Sequence, residues 1–433
     1  MPQELLILTG WGDVVERLHQ QCQALSHCNE LFLSSVCLDA VVIDEIVSVI
    51  RERKYVGLHL ARCRGNVKGL LEKCVLEESS SSSLKLQKLS ILCGFDRLSP
   101  ETCEVLGQVL AQSRSLEKLT LRAYLSDDLA EALQHGLAHS QSLRELSLPV
   151  SGTSLSRVQA LASGFRQASH LERLKLNRHD LVWNMESIQL QTLMEALEYH
   201  SSLQELSIQG SSCGHQGMSA VARLLVVNSP RLVKLDLSNH KFGGDLVPQV
   251  KILANALAEN THLKSLSLAG HMLSVDDIHH LGTGLSSDCS GLKELCLANC
   301  NIDDVKASIL AEYLPHFQTL QNLWLYDNTF GEDGARALQH SLGRNISLQQ
   351  MLIPRGRGAT MTAIQLQIEH KLLLRCEGFR FLQRQHLISD TMWPVILSES
   401  TTGLEWEFFD KQAARAESIF HLLREGALHF SSS

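Results

Sequence analysis

The residue types best suited to chemistry in this chain are its 20 histidines and 12 cysteines, which could hold a metal, sense pH or supply a thiolate. His179, His240 and His271 share one position, three residues after the last leucine of a recurring strand motif. A shared metal needs convergent ligands, and only two of the three fall in adjacent copies of that motif. The imidazoles read instead as turn donors in place of asparagine, or as groups pointing to solvent. His279-His280, on a helix face, reads the same way. The cysteines are scattered without a CxxC pair, which suits reduced thiols in a cytoplasmic or nuclear compartment. Cys103 falls in an apolar helix slot as a small hydrophobe. Asp127-Asp128, Asp276-Asp277 and Asp303-Asp304 follow Ser126, Ser274 and Asn301, the pattern of capped helix starts and not of metal ligands.

The sequence contains no phosphate loop, nucleophile elbow, H-E-x-x-H, deaminase or kinase motif. We therefore expect no catalytic residue, no cofactor and no metal. A formal charge of −8 argues against nucleic acid as partner, since counterion displacement needs a basic face, and weakly against an anionic membrane. There is no run of 18 apolar residues, no basic leader with a cleavage site, and one sequon, Asn345-Ile346-Ser347, that a cytoplasmic protein would leave unused.

What must position any binding residues is an internal repeat. L-x-x-L-x-L recurs with few substitutions from Cys28/Leu31/Leu33 and Tyr55/Leu58/Leu60 to Leu348/Met351/Ile353, twelve copies at steps of 27 to 32 residues. Between copies, apolar residues at spacings of three and four, such as Ala335/Leu338/Leu342 and Cys103/Leu106/Leu110, mark one stripe of a helix. Strand leucines must pack on helix stripes of the same and neighbouring units, because no unit buries its apolar face alone. Parallel strands stack at about 4.8 Å while helices need roughly 8–10 Å, so the stack bends with its strands inside.

Units of this length with L-x-x-L-x-L, then Asn or Cys three residues on, then a helix, resemble the ribonuclease-inhibitor class of leucine-rich repeats. Leu292 to Ile302 and Leu320 to Gly334 match it almost position by position. The resemblance implies an α/β solenoid, a horseshoe with a parallel sheet on its concave face and helices on its convex face. The class includes inhibitors, GTPase activators and immune-receptor sensor domains, so it implies no single activity.

We expect a half repeat over 1–27, the repeats over 28–354 with a polar loop insert, EESSSSS, at 77–83, and a helical C-terminal cap over 355–433. In that segment Ile364, Leu366, Ile368 and Leu372 to Leu374 begin an apolar helical stretch, with W-P-V-I-L and F-H-L-L-R following. That layout resembles the tail of repeat proteins of this class in unicellular eukaryotes.

The function expected is a non-catalytic, monomeric scaffold holding another protein on the concave face. The alternative is a regulator of an enzyme, an inhibitor or GTPase activator. Strand residues alternating with the leucines face the groove, among them Arg122, Lys175, Asp236, Ser238 and Ala298. Trp324 and Tyr326, on one strand with Asp327 just beyond, are the expected anchor, because Trp and Tyr are enriched at binding hot spots.

Overall fold

The computed structural model describes residues 5–9, 28–76, 85–93, 96–150, 153–177, 186–210, 214–227, 231–238, 249–287, 290–354 and 359–384. The insert at 77–83, His179, His240 and the tail beyond Arg384 lie outside them. The chain divides into two compact units, residues 1–249 and 250–433.

Each repeat of the first unit opens on a short strand: β1 (Leu5–Thr9), β2 (Glu30–Ser34), β4 (Gly57–Ala61), β6 (Lys88–Leu92), β7 (Lys118–Arg122), β8 (Glu145–Pro149), β9 (Arg173–Asn177), β10 (Glu205–Ile208) and β11 (Lys234–Asp236). They pair in parallel in that order. Two further short strands, β3 (Cys37–Leu38) and β5 (Arg64–Gly65), pair with each other beyond the ends of β2 and β4. The register is leucine on leucine: Leu31, Leu58, Leu89, Leu119, Leu146, Leu174, Leu206 and Leu235 stand side by side. All eight are buried. Cys28 and Tyr55, which replace the first leucine of their motifs, are buried too.

The returning segments are the helices α1 (Ala40–Arg53), α2 (Val67–Leu71), α3 (Pro100–Gln112), α4 (Asp127–His139), α5 (Leu155–Gln167), α6 (Ser187–Leu197) and α7 (Gly214–Val227). Their stripes are dry: Cys103, Leu106 and Leu110 on α3 are each 0–1% exposed. Burial pushes the Cys103 thiol up to about 11, so it is an inert hydrophobe at neutral pH. Adjacent helices touch closely at glycine; a Cβ at Gly136 of α4 would meet the Leu110 Cβ of α3 at 2.7 Å. Ser126 caps α4 by accepting a hydrogen bond from Leu129 N, which satisfies an amide that has no partner within the helix.

The second unit repeats the pattern with α8 (Gln249–Glu259), β12 (Ser265–Ser267), α9 (Val275–Leu285), β13 (Glu294–Cys296), α10 (Asp304–Tyr313), β14 (Asn322–Trp324), α11 (Glu332–Ser341), β15 (Gln350–Leu352) and α12 (Ala359–Arg384). Leu266, Leu295, Leu323 and Met351 form its ladder. The residue three after the last strand leucine is a buried turn donor. Asn328 Nδ2 donates to the carbonyls of Leu297 and Leu325, and its Oδ1 accepts from Cys300 N and Ile302 N. Cys300 holds the same slot one repeat earlier, its thiol donating to Leu268 O at 3.2 Å. His271, in that slot again, is 1% exposed, so of the two readings the solvent-facing one fails for it.

Other expectations need correction. Asp303, not Asn301, caps α10, accepting from Lys306 N at 3.0 Å, while Asn301 takes a left-handed φ of 53° in the preceding turn. Ser238 and Ala298 are buried and do not face a groove, because the chain has left the strand and turned inward by those positions. On α12, Met361, Ile364, Ile368 and Leu372 form the buried stripe at helical spacing, whereas Leu366 falls on the opposite face and is 60% exposed. The sequon Asn345 is fully buried, its Nδ2 donating to Leu314 O at 2.7 Å, so this fold closes it to glycosylation.

Candidate functional site

Because successive strands pair in register, residues at equivalent motif positions form rows across the exposed sheet face. On β6 to β9 the strand sequences KLSIL, KLTLR, ELSLP and RLKLN carry five cations, Lys88, Lys118, Arg122, Arg173 and Lys175, and one carboxylate, Glu145, which contacts Lys118, Arg173 and Lys175. Glu145 lies on β8, between β7 and β9. Its Oε1 accepts from Lys118 Nζ at 3.0 Å and from Lys175 Nζ at 3.0 Å; its Oε2 accepts from Arg173 Nε at 3.3 Å. Burial alone would raise its pKa, but hydrogen bonds and charge from Lys118 and Lys175 outweigh that and hold the carboxyl at about 2. Glu145 thus stays ionised, and the cations it gathers keep between a third and two fifths of their side chains exposed. On the neighbouring strand edge Glu172 receives Arg144, and Arg173 lies 3.5 Å away.

A second buried carboxylate organises the adjoining strands. Glu30 on β2 reaches across β4 to Lys88 Nζ at 2.6 Å and accepts from His59 Nε2 at 2.9 Å, while His59 Nδ1 meets Ser90 Oγ at 2.8 Å. The reach is possible because Gly57 stands between them; a Cβ there would sit 2.8 Å from Glu30 Cγ. Burial works against the ionised form of Glu30, yet Lys88 and His59 leave its pKa lowered.

Of the residues singled out from sequence, Arg122 is exposed at the end of β7 and Lys175 belongs to the Glu145 cluster. Asp236, on β11, is engaged by its own surroundings: Ser207 Oγ, Gln209 Nε2 and the Ser238 amide all donate to it. Despite burial, these bonds keep its pKa lowered. It holds a turn.

The other three candidates lie in the second unit. Trp324 is half-buried on β14, in register with Cys296 of β13 and Leu352 of β15. Tyr326 is not on that strand but in the turn after it, 42% exposed, and its pKa is raised by the neighbouring Cys296 thiol, by burial and by Asp327. Asp327 is exposed with φ of 59°, a conformation Asp tolerates better than most residues. Trp324, Tyr326 and the exposed Leu352 therefore make a small aromatic and aliphatic patch. Sequence reading missed Glu145 and Glu30 as hubs; the available signal was a glutamate immediately before a strand leucine, with Lys118 and Arg173 at that position in the repeats either side of Glu145, and with Gly57 and then Lys88 at it in the two repeats after Glu30.

Among the described residues no group of three or more His, Cys, Asp or Glu could hold a metal, and no helix is long and apolar enough to cross a membrane. Cys37, Cys63, Cys93, Cys103, Cys296 and Cys300 form no disulfide.

No family model matches the chain. Over 303 residues it is 27% identical to the ribonuclease inhibitor of Sus scrofa, covering 62% of this chain and 64% of that protein. Over 298 residues it is 26% identical to the NACHT, LRR and PYD domains-containing protein 5 of Bos taurus, covering 68% of this chain and 24% of that protein. The chain thus spans under two thirds of the first relative's length and about a quarter of the second's. A solved leucine-rich repeat-containing protein, LegL7 from Legionella pneumophila, superposes with a TM-score of 0.43 at 16% identity, over 84% of this chain and 97% of that one. Its in-register leucine ladder, its strand–helix alternation and its similarity to two ribonuclease inhibitors make this a leucine-rich-repeat chain that is ribonuclease-inhibitor-like.

Proposed function

We propose that this chain is a non-catalytic protein-binding scaffold whose exposed strand face over β6 to β9 receives an acidic segment of a partner protein. The observation that carries the reading is the Glu145 cluster. In a chain of net charge −8, four adjacent strands carry five cations and one carboxylate; that carboxylate fixes three of the cations in place, and Glu30 of β2 holds a fourth, Lys88. Cations already held need little further ordering when a partner arrives, and a local field of one sign speeds encounter with the opposite sign. The rigid sheet beneath supplies the flat, extended platform that repeat proteins use for macromolecules. Arg122 lies beside the cluster as an unanchored arm. In the second unit, Trp324, Tyr326 and Asp327 are the proposed secondary contact, an apolar patch with a charged rim.

Regulation of an enzyme is the second reading, favoured by similarity to a protein named as a ribonuclease inhibitor. A ribonuclease as target fits poorly with the charge of β6 to β9. An enzyme that cleaves RNA must present positive charge to a polyanion, and a lysine- and arginine-rich face repels such a surface. Enzymes with acidic surfaces remain compatible with it. The test is affinity capture from an extract of the source organism with the wild type and with a Lys118→Glu/Lys175→Glu variant, followed by mass spectrometry. Acidic proteins captured by the wild type and lost by the variant support the reading. Equal capture by both removes this face from consideration. Assaying a captured enzyme with and without the chain then separates scaffold from regulator.

A further inference from the structure

Beyond the ends of β4 and β6 the first unit contains a cavity of about 560 Å³, within the range of small-molecule sites. Its charged wall comes from Arg62, Arg64 and Arg97, opposed by Asp96 alone; Cys63 and Cys93 line it as well. We propose that this cavity binds a small phosphomonoester, with the arginines on the phosphate and the cysteine side of the wall against the organic group. The site is separate from the Glu145 face, and the inference does not rest on that reading.

Each arginine is placed by a distinct local device. Arg62 has a left-handed φ of 52°, and its amide donates to Leu92 O at 3.0 Å, so the turn after β4 is fixed by the neighbouring repeat. Arg64 sits on β5, paired with Cys37 of β3. Arg97 lies over the Tyr124 ring, 4.6 Å from its centroid, a contact that steadies the guanidinium. Tyr124 is itself braced, its hydroxyl accepting from Arg157 Nη1 at 2.9 Å, with Arg157 paired to Asp127. Arg62 and Arg97 are both exposed, and Asp127, which feels the Arg97 charge, is itself held by Arg157. Arginine thus outnumbers carboxylate among the lining residues, the sign of charge that a phosphomonoester dianion requires.

The start of α3 also faces this cavity, but its amides are already engaged. Ser99 accepts from Thr102 N, and the Glu101 carboxylate takes a hydrogen bond from its own amide and from Ser99. Selectivity therefore falls to the planar, multi-donor guanidinium groups, which suit phosphate oxygens better than a spherical halide. The volume exceeds what a bare phosphate fills, and the half-buried Cys63 and Cys93 offer a less polar wall for a sugar or nucleoside. Burial pushes the Cys93 thiol up to about 11, with Asp96 adding to the rise, so at neutral pH that wall is uncharged.

The experiment is calorimetric titration of the full chain with inorganic phosphate, ribose 5-phosphate, adenosine 5′-monophosphate and a short phosphoserine peptide. The variants are Arg62→Gly, which keeps the left-handed turn comfortable, and Arg97→Lys, with Arg144→Gln as a control outside the cavity. We expect saturable binding of ribose 5-phosphate or the nucleotide, tighter than inorganic phosphate. Each cavity variant should weaken it by about tenfold to a hundredfold, while Arg144→Gln leaves it unchanged. Binding of the phosphoserine peptide alone, with the same dependence on Arg62 and Arg97, assigns the phosphate to a modified side chain and overturns the small-molecule form of the proposal. Binding of no probe at millimolar concentration, or binding indifferent to both cavity variants while their melting curves match the wild type, overturns it altogether.

Discussion

Replacing Glu145 by Gln keeps the side-chain volume and removes the one charge that holds Lys118, Lys175 and Arg173 together. Its pKa falls from 4.5 to about 2 on folding. That difference, 4.5 − 2 = 2.5 units, corresponds to a ceiling of about 3.4 kcal/mol at about 1.36 kcal/mol per unit. The ceiling is not reached, because the three cations are 35–41% exposed and water screens them. A loss of about 1–2 kcal/mol at pH 7 is the expected result for Glu145→Gln. The sign with pH follows from the depressed pKa. The carboxylate's contribution is complete above pH 4.5 and is lost as pH falls from there toward about 2. Urea unfolding of both proteins across that window should show two curves that converge on acidification. Equal stability at pH 7, or a gap that persists unchanged down to pH 2, would refute the assignment of Glu145 as the electrostatic hub. The same variant removes one negative charge and so raises the net charge of the face by one; capture of acidic proteins should hold or strengthen even as stability drops.

His200 is buried, and burial lowers its pKa below 6.5, with the Ala168 backbone partly offsetting this. The neutral form is the folded form, so stability is full above pH 6.5 and falls as pH drops through it. His200→Asn, mimicking Asn260 and Asn345 in the same slot, should remove that loss in acid unfolding measurements. Asn328→Ala deletes four hydrogen bonds inside a dry turn and should cost about 2–4 kcal/mol by thermal or urea unfolding. Trp324→Ala/Tyr326→Ala should weaken partner capture with little change in far-ultraviolet circular dichroism; unchanged capture removes the second-unit patch from consideration.

The ladder of strand leucines was legible because the motif returns at every step and each inward position carries Leu or its near equivalent. Cys28 and Tyr55 were readable as leucine substitutes by position alone, and both are buried. The caps at Ser126 and Ser274 were readable from side-chain type; Asn301 misled because Asn serves left-handed turns as readily as caps, and Asp303 two residues on does the capping. The charge clusters were harder to see. Glu30 meets Lys88 across 58 residues of chain, and only the parallel register, with Gly57 between, makes them neighbours. Asp236 looked like an outward carboxylate until Ser207, Gln209 and Ser238 were found around it. The arginine-walled cavity was invisible in the motif because it is built from turn residues of successive repeats, where the repeat constrains nothing.

The most direct test of the strand-face account is a photo-cross-linking amino acid at Thr120, the half-buried middle residue of β7 beside Lys118 and Arg122. The same probe at the exposed Glu104 on α3 serves as the comparison. In an extract of the source organism, irradiation should trap proteins with acidic surface segments from position 120 and not from position 104, and added salt should suppress the trapping. Equal trapping from both positions, or none from position 120 while partners still co-purify, would place the binding elsewhere on the molecule.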